Sequence, residues 1–301
     1  AAAERSGPWG GLVEALARVG EGAPPVERLA LRHAMPRPVV ERLVAERGPD
    51  DAEAFLVASD VRAPIDLRPN PRRCGATALA ERLADEGVPT SPLPGGGLRV
   101  EGRANLEGLA SFRDGWFEVQ DEGSQRVAAL VPPGVTVLDV CAGAGGKSLA
   151  FAGAGCRVTA LDVRASALDE LAERARRAGV RVATRAIPPD RFPDDLRPAE
   201  WVVVDAPCTG TGTLRRHPEH RWWWTEDAVR ESAARQRELL GRAARWVAPG
   251  GRLVYATCSV LVDEDERIAS EVGGFTVTEE IRTWPQSDRC DGFYAAVLAR
   301  A

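Results

Sequence analysis

Two cysteines stand where thiol chemistry has most use. Cys208 follows the apolar run WVVVDAP within DAPCTGTG (205–212), and Cys258 follows RLVYAT within YATCSVLVDEDE (255–266). Both runs read as strands of a parallel sheet, and in an open α/β sheet the carboxyl ends of the strands share one crevice. The two thiols are therefore expected in one cleft, with Asp205 beside them. The other cysteines (Cys74, Cys141, Cys156, Cys290) form no CxxC pair with them, and a chain of 301 residues needs no disulfide staples, so reduced thiols are expected. One thiolate can add to an electrophilic carbon while a second group moves a proton. Small buried packing residues are the alternative for either cysteine. Their Thr/Ser/Gly-rich loops favour chemistry.

A third motif, VLDVCAGAGGKS (137–148), has the strand, glycine-rich turn and helix start of a nucleotide-like site. It is not a Walker loop, because Cys141 stands where that motif needs glycine. It is not a dinucleotide fingerprint either, because Ser148 stands at the third glycine. Asp162, ending the next apolar run, is placed to accept from the two hydroxyls of a ribose; a solvated strand-end carboxylate is the other reading. Turn and Asp162 together suit S-adenosylmethionine, whose sulfonium methyl needs no phosphate cradle.

A methyl donor and two thiols fit one reaction in particular. Carbon 5 of cytosine is a poor nucleophile until a thiolate adds at carbon 6 and turns the ring enamine-like. Cys258 is assigned that addition, Cys208 the assistance to proton loss from carbon 5, and Asp205 the hydrogen bond or acid near ring nitrogen 3.

The elements that must position these residues are legible from about Val137 onward. Apolar runs at 135–141, 157–163, 181–187, 201–207 and 252–259 alternate with helical patterns, clearest over 166–179 and 225–247. This is the pattern of a doubly wound, Rossmann-like α/β methyltransferase sheet. FTVTEEIR and FYAAVLAR, with no convincing helix between them, predict an antiparallel hairpin at one sheet edge. Residues 28–115 read as a smaller N-terminal α+β domain. It has two short helices near 38–59, a strand at APIDLRPN, a helix ending at Gly87, a loop at TSPLPGGG and a strand at LRVEG. Residues 1–27 read as an arm rich in Gly, Pro and Ala, and 116–301 as the catalytic domain.

These motifs resemble those of the RsmB-like, or Nop/Sun, family of S-adenosylmethionine-dependent RNA cytosine-5 methyltransferases, over about Leu31 to the end. The family patterns CAGAGGK, DAPCSGxG, TCS with following acids, and closing DGFF or DGFY stand here as CAGAGGK, DAPCTGTG, TCSVLVDEDE and DGFYAA. FEVQDEGSQRVA (117–128) is similar to the family's VQDxxS entry to the catalytic domain, and TLRRHPEHRW (213–222) to its RRHPD segment. The resemblance implies Cys258 as nucleophile and Cys208 as release cysteine. It implies that Cys141, Ala142, Gly143, Ala144, Gly145, Gly146 and Lys147 wrap the cofactor, with Asp162 on the ribose and Asp205 near the methyl group. It also supplies a role for Lys147, the one lysine among 39 basic residues; a helix-start solvent residue is its alternative. A proline usual near Ala144 is missing. The acid expected near the third strand's end is replaced by Arg185 and Ala186, with Asp190 as substitute. Full-length members also carry a NusB-like RNA-binding domain before the small domain, for which residues 1–27 leave no room.

The substrate implied is RNA, ribosomal before transfer, with a flipped or single-stranded cytosine. A net charge of −5 excludes a wholly basic binder, so local contacts are expected from Arg215, Arg216, His217, Arg72 and Arg73, with Arg68 and Arg221 nearby. Trp222, Trp223 and Trp224 offer stacking surface or partial core packing. Arg174, Arg176, Arg177 and Arg181 read as solvated, and His217 with His220 lacks further ligands, so no metal is expected. No apolar run of 18 residues and no leader-like start is present, which predicts a cytoplasmic, membrane-free and monomeric protein. A non-catalytic RNA-binding or assembly factor is the competing reading, which the two cysteines oppose. A small-molecule methyltransferase is another, which would more often carry NPPY than DAPC.

Overall fold

The computed structural model describes residues 18–300; the expected arm therefore lies mostly outside the described residues. Its last part is helical. α1 (Pro25–Arg32) starts where Pro25, with its preset φ, occupies the first turn, and α2 (Arg37–Arg47) and α3 (Pro49–Ser59) follow. Leu29, Val39, Val40, Leu43, Phe55 and Leu56 of these helices are buried against Leu214, Trp224, Val229, Val260 and Leu261. The helical piece thus packs on the segments that follow Cys208 and Cys258.

Four short strands come next: β1 (Asp66–Pro69), then, after α4 (Ala76–Asp85), β2 (Thr90–Pro92), β3 (Leu98–Val100) and β4 (Phe117–Val119). Their order is β2-β3-β1-β4, all antiparallel. Two expectations are corrected. The TSPLPGGG loop contributes β2, because Thr90–Pro92 pairs with β3. The small domain extends past 115, because β4 completes its sheet against β1.

α5 (Glu122–Ala129), capped by Asp121, leads into the larger sheet. It comprises β5 (Thr136–Val140), α6 (Gly146–Gly153), β6 (Arg157–Asp162), α7 (Ala165–Ala178), β7 (Val182–Ala186), β8 (Ala199–Asp205), α8 (Glu226–Ala243), β9 (Val247–Thr257), β10 (Phe275–Thr283) and β11 (Phe293–Arg300). The seven strands run in the order β10-β11-β9-β8-β5-β6-β7. β5 through β9 are parallel, as the doubly wound reading expects. β11 is antiparallel to β9, and β10 to β11, so the hairpin is real and only β10 forms its outer edge. The chain winds outward from β5 to β7 and returns to the other side of β5 as β8. That reversal makes the carboxyl ends of β5 and β8 the switch point where open α/β sheets bind ligands. Val140, Leu161, Val202, Val204, Leu253 and Tyr255 are fully buried, which holds those strand ends on a rigid base. No helix among the described residues is long and apolar enough to cross a membrane.

Candidate active site

Both thiols arrive at this edge. β8 ends at Asp205 and its loop places Cys208; β9 ends at Thr257 and is followed at once by Cys258. Their Sγ atoms lie 3.4 Å apart. Contact with the Cys258 thiol, burial and the Glu264 carboxylate hold the Cys208 thiol well above its ordinary range. The two loops are cross-bonded. Gly212 N donates to Cys258 O at 2.8 Å, Val260 N to Thr211 Oγ1 at 3.0 Å, and Gly292 N to Gly212 O at 2.8 Å. A Cβ on Gly212 would lie 2.0 Å from Gly292 O, so glycine is needed there for close approach of backbones. Glu264, fully buried, accepts from Thr209 N at 2.9 Å, Thr209 Oγ1 at 2.5 Å and Gln236 Nε2 at 3.1 Å.

The glycine-rich turn closes the other wall. Cys141 (φ 65), Gly143 (φ 56) and Gly145 (φ 84) take left-handed conformations that bend the chain from β5 into α6. A Cβ on Gly145 would fall 2.0 Å from Leu171 Cδ1 of α7, so this turn has no room for a side chain. Lys147, buried in the first turn of α6, donates to Asp205 Oδ2 at 2.7 Å and lies 5.3 Å from the centre of the Phe293 ring. Asp162 accepts from Gly143 N at 2.7 Å and Arg164 N at 2.8 Å, which ties β6 to the turn. Burial and the carboxylates of Asp162, Asp205 and Asp139 push the Cys141 thiol up to about 12, so it is an inert neighbour of the cleft.

Asp139 was missed by sequence reasoning. Burial raises its carboxyl to about 7, Ser148 Oγ donates to Oδ2, and Oδ1 is buried with no partner among the described residues. Its one signal was an acid inside the apolar run VLDVC. An orphaned buried oxygen, a turn too tight for side chains, the Asp162 carboxylate and the half-exposed Val163 beyond it fit an adenosyl amino-acid ligand. Asp190, the proposed stand-in near the third strand, is exposed in the loop after β7.

The expected RNA contacts divide. Arg215 is 6% exposed at its side chain and donates to Asp291 Oδ1 at 2.6 Å, while lying 3.6 Å from Asp121 Oδ2. Arg216 bonds Asp291 and donates to Asp121 Oδ2 at 2.8 Å. The expectation of free phosphate-binding forks is therefore corrected: both arginines neutralise two buried carboxylates, and burial with the nearby Asp291 raises the Asp121 carboxyl. Arg221 likewise donates to Asp60 Oδ1 at 2.7 Å and to the carbonyls of His33 and Ser59. Arg68, brought down to about 10 by burial, donates to Gln120 Oε1 at 2.6 Å. Arg174 and Arg177, expected to be solvated, pair with buried Glu118 of β4 at 2.9 and 2.6 Å, and Arg174 also donates to Ala144 O at 2.7 Å. β4 thereby anchors the glycine-rich turn. Arg72 and Arg73 are exposed without a carboxylate partner among the described residues. His217 is exposed; its ring stacks on His220 at 5.1 Å and 16°. His217, Glu219 and His220 bring ligand atoms within 4.8 Å of one another. The tryptophan run splits: Trp222 and Trp223 are 78% and 69% exposed, and Trp224 is core.

A family profile described as 16S rRNA methyltransferase RsmB/F matches residues 129–273. Over 291 residues the chain is 32% identical to a ribosomal RNA small subunit methyltransferase B of Erwinia tasmaniensis, covering 88% of this chain and 66% of that one. It is 35% identical over 323 residues to a putative methyltransferase of Mycobacterium tuberculosis, covering 94% and 68%. The crystal structure of PH0851 superposes with a TM-score of 0.84 at 28% identity, covering 98% of this chain and 74% of the other. The chain spans about half to two thirds of the length of the curated relatives it matches.

Proposed function

Since the chain belongs to the RsmB/F family of S-adenosylmethionine-dependent methyltransferases, we propose that it methylates carbon 5 of a cytosine in RNA through a covalent Cys258 adduct. The observation that carries this reading is the 3.4 Å approach of two thiols beside the Lys147–Asp205 pair at the switch point. Ribosomal RNA is the substrate class we favour, because relatives such as that of Erwinia tasmaniensis are named for it.

Bound along residues 141–147 with Asp162, S-adenosylmethionine supplies an electrophilic methyl group. The remaining work falls to the chain. Cys258 Sγ, as thiolate, forms a bond to ring carbon 6, and the charge that develops on the ring is met by a hydrogen bond at nitrogen 3. Asp205, carrying a proton taken from Lys147 Nζ 2.7 Å away, is the group we assign there as donor to nitrogen 3. Once carbon 5 carries its new methyl group it holds one proton in excess. A base removes that proton, its electron pair closes the carbon 5–carbon 6 double bond, and the bond from carbon 6 to Cys258 Sγ breaks with sulfur leaving as thiolate. Cys208 fits the base. In the free enzyme the Cys258 thiol is the foremost cause keeping Cys208 protonated, and that cause is removed when Cys258 becomes a thioether. Addition at one cysteine thus primes the other.

Contacts to RNA fall in this reading to Arg72, Arg73 and His217 and to the small domain. Incubation with labelled S-adenosylmethionine and RNA, followed by mapping of 5-methylcytosine, tests the reading. Incorporation is expected, and Cys258→Ala is expected to abolish it. Cys208→Ala is expected to accumulate a protein–RNA adduct stable to denaturing gels. Undiminished methylation by Cys258→Ala overturns the mechanism.

A further inference from the structure

Glu264 has a place in the site that its position in an acidic run does not suggest. It is the second acid of DEDE after Cys258, yet it is fully buried and directed at the loop that carries the other cysteine. One carboxylate oxygen accepts from Thr209 N (2.9 Å) and Gln236 Nε2 (3.1 Å), and the other from Thr209 Oγ1 (2.5 Å). Gln236 Nε2 also donates to Pro207 O at 2.9 Å. The residues on both sides of Cys208 are therefore held by one small network. Its own backbone is fixed too, since Tyr255 OH donates to Glu264 O at 2.5 Å. Among the described residues no arginine or lysine side chain bonds this carboxylate: its donors are the neutral Thr209 and Gln236, Arg42 acts on it only through space, and its charge also reaches Cys208.

We propose that Glu264 is a positioning residue for the release step, which fixes the Cys208 loop and, by its charge, keeps the Cys208 thiolate a strong enough base to take the carbon 5 proton. The proposal rests on the release role given to Cys208 above. Geometry sets where the sulfur sits, through Thr209. Charge sets how avidly that sulfur holds a proton, and Glu264 is among the groups raising the Cys208 thiol. After Cys258 is consumed, Glu264 is the charged group that still acts in that direction. In release, Cys208 goes from thiolate to thiol as Cys258 goes from thioether to thiolate, so charge is conserved within the cleft.

Glu264→Gln separates the two functions. The amide oxygen can keep both N–H donors and the amide nitrogen can donate to the Thr209 hydroxyl, so the contacts persist while the charge is lost. With RNA and S-adenosylmethionine under single-turnover conditions, adduct formation and decay are followed against pH on denaturing gels. In Glu264→Gln the midpoint of the release profile is expected to move down by about one pH unit. Its high-pH limit is expected to fall about three-fold, from the Brønsted slope of about 0.5 typical of thiolates. Adduct formation and thermal melting stay near wild type. Glu264→Asp keeps the charge and cannot span both Thr209 atoms; it is expected to slow release without moving the midpoint, and it decides the matter if Glu264→Gln does not fold. Wild-type release rate and midpoint in either variant overturn the proposal. Cys208→Ala run alongside separates the two failures: if it traps no adduct, the release role itself is wrong, whereas if it traps adduct while both Glu264 variants release normally, only the role of Glu264 is.

Discussion

At the scale of single residues, the cysteines were legible because each follows an apolar run and opens a Thr/Ser/Gly-rich loop. Their 3.4 Å separation was not, since it depends on strands β8 and β9 being neighbours. Asp139 was readable only as an oddity. Folding lifts its carboxyl from 3.8 to about 7, so around neutrality the folded chain holds a proton there that the unfolded chain has released. Stability from this site is therefore fully present below about pH 4 and is lost as pH rises through 7, by a few kcal/mol at most at about 1.4 kcal/mol per unit. Melting temperatures recorded from pH 5.5 to 8.5 in the absence of cofactor should fall with pH, and Asp139→Asn should flatten that slope. An unchanged slope in the variant removes Asp139 as its source.

Among elements, the lesson lies in how loops from distant motifs are fitted together. DAPCTGTG and DGFY read as separate signatures, and the contact of Gly212 with Gly292 shows why each carries its glycine: two backbones pass too close for a Cβ. Gly212→Ala should destabilise the fold by about 1–3 kcal/mol, because the obstacle is backbone and cannot turn aside, and it should lower methylation by displacing Cys208. Gly241 is its control. It sits inside α8 with nothing within 4 Å of a built Cβ, so Gly241→Ala should stabilise by about 0.5–1 kcal/mol. Chemical denaturation of both variants checks the pair, and a Gly212→Ala protein as stable as wild type contradicts the packing argument. The strands of the large sheet were readable from their apolar runs, whereas β2 and β4 were not: at three residues each they carry no periodicity, and only pairing defines them.

For the molecule as a whole, charge was the property that sequence served least well. An arginine-rich stretch looks like a nucleic-acid patch until its carboxylates are found, and Asp121 and Asp291, 170 residues apart, meet Arg215 and Arg216 in one buried cluster. Removing Arg215 strands buried carboxylates, so Arg215→Ala should destabilise by about 3–5 kcal/mol while leaving the salt dependence of RNA binding as it was. Arg72→Ala and Arg73→Ala should do the reverse, each lowering the slope of log K against log salt by about 1 with little effect on stability. Filter binding across a salt series, paired with melting curves, distinguishes the two classes; a shallower slope for Arg215→Ala contradicts the assignment. The same cluster has a consequence in time. Asp291 and the strand β11 that follows it come late in the chain, yet β11 lies between β9 and β10 and its neighbour Gly292 braces the Cys208 loop. Until β11 has been made, the sheet has an open seam beside β9. Gly292 reaches the Cys208 loop only with β11, so the brace on that loop closes after the β8–β9 pairing that brings the two thiols together.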